Sequence, residues 1–247
     1  MGVPGVRLAD RPQRQRPCTP PAFVTPPRRK ADWCRRTKYT EARPVVSPIG
    51  WAITLAAPLL WMVVALLHPD EPQDADRWLF VHYAQLVLTP FLAFAVWKLL
   101  DGIHSTAATI SRVALAVWMI FFSAYDATAG VATGLLARHA DSLSGAEQTA
   151  VNSAVDWLLN DGLLPGGAVW LAAMPTIAWP TTVIAAAIAL HQAGARLAGA
   201  ACLVLSGLFA FHAGYPAAIG LAFFVAAEVL WMRHLGAGRD RPFPVTA

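Results

Sequence analysis

Charge is what this chain has least of. Only 14 % of its 247 residues are charged, while 56 % are hydrophobic. A water-soluble domain carries about 25 % charged residues, so an ordinary solvated surface is excluded and a membrane protein is expected. Cysteine is scarce too. Cys18 and Cys34 fall in an N-terminal basic segment and Cys202 in an apolar run, which leaves no disulfide for an outer face. The first pair lacks the CxxC spacing and the nearby histidines that a zinc site needs. No GxxxxGK[ST], HExxH, GxSxG or GxGxxG occurs, which removes the usual support for nucleotide hydrolysis, that class of zinc protease and serine hydrolase. His68-Pro69-Asp70 matches a J-domain tripeptide, but the basic helix that gives the tripeptide meaning is missing.

What is present is a series of apolar runs near 20 residues, the length that crosses a bilayer as a helix. They predict an all-α bundle of six transmembrane helices at about 49–67, 79–100, 108–135, 164–190, 194–211 and 216–234. The membrane domain is expected over 47–236, with a short tail at 237–247. Pro90 predicts a kink in the second span. Pro175 and Pro180 predict that the fourth is the most irregular. Glu147–Asn160 spaces Val151, Ala154, Val155 and Leu158 as a helix does, which predicts a short amphipathic helix at the outer interface.

Eleven of the nineteen lysines and arginines precede Val45. Beside a first span such a cluster reads as a topology signal rather than a nucleic-acid site, and residues 1–46, rich in Pro and Arg, are expected to be disordered. The inner loops and tail would hold Lys98, Arg112, Arg196, Arg233, Arg239 and Arg241. The outer loops would hold Arg77 and Arg138 against eight carboxylates. That asymmetry places both termini in the cytoplasm and the protein in the cell membrane.

Candidate chemistry gathers at the outer end. Asp126 lies about 12 Å inside the third span at 1.5 Å per residue. A charge there costs roughly 2.5–3.5 kcal/mol on insertion scales and needs a partner, a proton or a cavity. Phe122, Asp126, Gly130 and Gly134 recur every four residues, and the GxxxG pair admits a neighbouring helix closely, so Asp126 is expected to face the bundle. His82 is one turn inside the second span, and His68 and His212 stand at helix ends. Tyr83, Tyr125 and Tyr215 lie at similar height.

Two chemistries suit this set. Asp126, His82 and Tyr125 are candidate acid–base residues. His68, His82, His212 and Asp126 are candidate ligands of a divalent transition metal. Haem is a third reading, with His104, His191 and His234 as an inner set. Glu228, in the inner half of the last span, is expected to pair with Lys98 or Arg112. The expected partners are the lipid bilayer, a small or lipid-like ligand and a homo-oligomer or larger membrane complex, with no nucleic acid. The residues alone do not separate an enzyme from a transport component, a sensor or an accessory subunit.

Overall fold

The computed structural model describes residues 48–161 and 168–237, which are helical almost throughout. The expected disorder of residues 1–46 and the tail beyond Ala237 lie outside the described residues. In chain order the helices are α1 (Pro48–Leu67), α2 (Ala75–Leu99), α3 (Thr106–Tyr125), a π-helical stretch (Asp126–Ala132), α4 (Thr133–Ala140), α5 (Gly145–Asp156) followed by a second π-helical turn (Trp157–Asp161), α6 (Ala168–Gln192), α7 (Leu197–Leu205), a 3₁₀ stretch (Ser206–Phe211) and α8 (Gly214–Ala237). Among the described residues no strand occurs.

Among the described residues five helices are long and apolar enough to cross a membrane: α1, α2, the continuous rod Thr106–Ala140, α6 and α8. The sixth apolar run is shorter, Leu197–Phe211. Its nine α-helical and six 3₁₀ residues extend about 25 Å at 1.5 and 2.0 Å per residue, against a hydrocarbon thickness of about 30 Å. The outer faces of the long helices are apolar. Val87, Ile120 and Ile177 are 62 %, 61 % and 66 % exposed, a surface that water would penalise and lipid would not.

Local signals set the helix starts. Asp74 accepts from the Arg77 amide at 3.0 Å and Ser105 from the Ala108 amide at 3.2 Å, each satisfying a donor that the first turn leaves free. The interior is held by aromatic packing. Trp61, Trp118, Trp179 and Phe209 are fully buried, and the Phe209 ring stands edge-on to Trp61 at 5.2 Å and to Trp179 at 4.9 Å. Two side chains tie backbones together within that packing. Ser111 donates to the Thr182 carbonyl at 2.8 Å, and the Trp179 indole donates to the Ser206 carbonyl at 2.9 Å. Gly220 explains how α8 approaches the 3₁₀ stretch, because any Cβ there would run into the backbone at Phe209.

Two expectations are corrected. The fourth span is not the most irregular, since α6 continues as one helix from Ala168 to Gln192 through Pro175 and Pro180, as α2 does through Pro90. The irregular backbone lies instead at Asp126–Ala132 and Ser206–Phe211. Glu228 has neither expected partner. Lys98 pairs with Asp101 at 3.2 Å, and Arg112 donates to the carbonyls of Leu100 and Ile103. Both Glu228 carboxyl oxygens are buried without a hydrogen bond.

Candidate functional site

Four elements bring the site together: the end of α1, the first two turns of α2, the junction of α3 with the π-helical stretch, and the turn after the 3₁₀ residues. The Asp74 cap fixes where α2 begins. Trp78 and His82, four residues apart, therefore share one face. Facing them is the Gly130–Gly134 groove, since a Cβ on Gly130 would overlap the His82 ring and one on Gly134 would meet Trp78 and Leu79. The small residues thus admit an indole and an imidazole in addition to a close helix. The Trp78 indole donates to the Gly130 carbonyl at 2.7 Å and locks the register of this contact.

The π-helical stretch begins at Asp126. Such turns are rare within helices and are frequent at functional sites. Here the Asp126 Oδ1 meets His82 Nδ1 at 2.5 Å, with the two residues 1 % and 2 % exposed. An ionised Asp126 can only accept, so a carboxylate here would take the proton on Nδ1 and leave Nε2 outside the bond. That Nε2 is buried and has no hydrogen-bond partner. His68 repeats the pattern. Its Nδ1 donates to the Pro69 carbonyl at 2.7 Å, and its Nε2 is buried without a partner.

The imidazoles cluster. Ring centres of His68 and His82 are 5.0 Å apart, and those of His68 and His212 5.7 Å. Trp78 packs on His82 at 4.5 Å, and Tyr125 stands edge-on to His212 at 5.6 Å. His212 is the one described non-glycine residue in left-handed backbone, with φ 45°, a conformation that non-glycine residues hold only under constraint. Burial above all, then the His82 ring, presses the His68 pKa down to about 4. Burial, then His68 and His82, presses His212 down to about 3. Both rings are neutral at physiological pH.

His68, His82, His212 and Tyr125 line a cavity of about 840 Å³. Its mouth carries Asp70, Glu71, Asp141 and Asp156, and no lysine or arginine lines it among the described residues. α5 forms one wall through Asn152, Val155 and Asp156, so the predicted amphipathic helix is present and Val155 is buried. A second pocket of about 60 Å³ is lined by Tyr125 and His212 together with Trp118, Phe122 and Phe209.

Of the residues expected from sequence, His68, His82, His212, Asp126 and Tyr125 come together. Asp126 does not line the cavity; it stands behind His82 and reaches the cavity through that ring. Tyr83 and Tyr215 are exposed, at 48 % and 77 %, and take no part. Among the described residues no three His, Cys, Asp or Glu side chains are disposed to hold a metal ion. The four expected metal donors are neighbours without a common focus, because Asp126 is committed to one nitrogen of His82. Of the inner histidines, His191 meets the Ala195 carbonyl at 3.3 Å and His234 stacks on Trp231. Trp78 was missed, although its spacing to His82 marks it. Comparison with family models, with curated proteins and with solved structures finds no match for this chain.

Proposed function

We propose that the chain is a six-crossing cell-membrane protein, with both termini in the cytoplasm, whose His–Asp site opens to the extracytoplasmic face and performs acid–base chemistry on a small ligand. The observation that carries this reading is the buried His82–Asp126 bond at the floor of the cavity. Asp126 holds the imidazole in one tautomer and stabilises the imidazolium that forms when Nε2 takes a proton, the division of labour seen wherever a carboxylate backs a histidine base. Asp126 is therefore a positioning residue. His82 Nε2 is the base, and Tyr125 flanks the ligand.

Six crossings are supported by where the short segment ends. It starts beyond a tight turn from α6, through the Ala195 amide to the Leu190 carbonyl, and finishes at His212, against His68 from the far end of α1. The orientation is supported by charge. The site end holds Arg77 and Arg138 among many carboxylates, and the other end holds Lys98, Arg112, Arg196 and Arg233. Cysteines placed at Asp74 and Ser144 are expected to react with an impermeant maleimide in intact cells. Labelling only after permeabilisation would invert the topology.

The base assignment is tested by ¹⁵N spectra of histidine-labelled protein. Wild-type His82 is expected to be protonated on Nδ1 with Nε2 bare. In Asp126→Asn the amide can accept from or donate to Nδ1, so the preference is expected to collapse into a mixture while the fold persists. A wild-type His82 carrying its proton on Nε2 would present no base to the cavity and end the reading.

A further inference from the structure

The hydrogen-bond inventory of the cavity specifies what it takes. His68 and His82 each spend their N–H on a fixed acceptor, Pro69 and Asp126 respectively. Each leaves a bare, buried, unpartnered Nε2, and such an atom is costly until a donor reaches it. The Trp78 indole cannot serve, since its only hydrogen already goes to Gly130. A ligand that enters the cavity with N–H donors can supply what these two atoms lack.

Charge points the same way. Asp70, Glu71, Asp141 and Asp156 line the mouth without a basic residue among the described lining. A recess lined by one sign of charge concentrates ligands of the other. Size then separates the cations. A volume of about 840 Å³ lies in the range of organic-ligand sites and is far more than one ion fills, and no three donors surround a point. The faces of Trp78 and Tyr125 add a surface on which an ammonium group is attracted.

We propose that the cavity binds an organic amine in its protonated form, the ammonium donating to the Nε2 atoms of His82 and His68 while Asp70, Asp141 and Asp156 balance its charge. This rests on reading the cavity as the ligand site, and it deepens that reading by naming the ligand class. The volume of about 840 Å³ favours an amine with an organic substituent over bare ammonium. The neutrality of His68 and His212 keeps competing positive charge out of the floor.

Isothermal titration of the full-length protein in detergent tests the proposal with a series of amines: ethylamine, 1,4-diaminobutane, spermidine and tyramine. N-acetylated counterparts, succinate and Zn²⁺ serve as comparators. At least one amine is expected to bind near one per chain, with at least tenfold preference over its acetylated form and over succinate. Asp70→Asn combined with Asp156→Asn is expected to weaken it about tenfold, and His82→Phe, which keeps a ring and removes the acceptor, by more. Failure of the whole series, equal binding of the acetylated forms, or one Zn²⁺ per chain held by the histidines without amine binding would each overturn the proposal. The ¹⁵N tautomer of His82 is read without ligand, so an intact Nδ1-protonated His82 with no amine binding ends this inference alone.

Discussion

Lowering the pH from 6.5 to 4.5 is expected to destabilise the folded protein by roughly 2–3 kcal/mol through His68 and His212. Well above pH 6.5, by about one unit, the rings are neutral whether the chain is folded or not and contribute no pH dependence. Below it the unfolded rings take up protons that the folded rings refuse until about pH 4 for His68 and about pH 3 for His212. Stability therefore falls as pH falls through this window, by at most about 1.4 kcal/mol per pH unit for each ring. Both rings keep some solvent contact, which screens the penalty and sets the lower total. The charged neighbours of His68 oppose each other, Asp70 favouring its protonation and Arg77 disfavouring it, after the larger effects of burial and His82. The measurement is the apparent melting temperature in detergent across that range. His68→Gln with His212→Asn, the asparagine chosen for the left-handed backbone, is expected to flatten the slope. An unchanged slope in the double variant would show that the imidazoles are not the groups that titrate.

How much of this was legible beforehand follows from what each residue could signal alone. Asp126 announced itself because a carboxylate inside an apolar run cannot be left to lipid, and the four-residue spacing with Gly130 and Gly134 gave its direction. His82 could be named as a partner because so few polar groups reach that depth. The helical class and the long spans followed from composition and run length. The backbone irregularities did not. Proline advertises a missing hydrogen bond, yet α6 absorbs two prolines without interruption, while the π-helical stretch and the 3₁₀ stretch fall on ordinary residues. Both are fixed by tertiary contacts: the first by the His82 and Trp78 bonds, the second by the approach of α8 at Gly220. The same limit hid the cavity. The spacing of Val151, Ala154, Val155 and Leu158 indicated the helix, but only the packing of α5 beside α4 brings Asn152 and Asp156 to the same cavity as the imidazoles.

Substituting Gly130 by alanine is expected to be far costlier than one methyl group suggests, about 3 kcal/mol or more. The new Cβ would fall on the His82 ring. That ring is no flexible chain end, for it is buried, packed on Trp78 and bonded to Asp126. Relief requires the imidazole to swing away or α2 to separate from the π-helical stretch. The first route leaves Asp126 buried and unpaired, and the second breaks the bond from Trp78 to the Gly130 carbonyl. Overpacking costs about 1–3 kcal/mol, and a buried polar group stripped of its partner costs a similar amount again. Gly199 provides the control. It also lies inside a helix, but a Cβ there meets only Leu230 at an ordinary 3.6 Å, so Gly199→Ala is expected to be neutral or to stabilise by up to about 1 kcal/mol. A double-variant cycle of Gly130→Ala with Asp126→Asn is expected to be strongly non-additive, since displacing His82 already abolishes the bond that Asp126→Asn weakens. Melting temperatures and the ¹⁵N signal of His82 read both effects. If Gly130→Ala proved as mild as Gly199→Ala with the His82 tautomer unchanged, the imidazole would not be seated in the glycine groove and the His82–Asp126 pair would lose its structural basis.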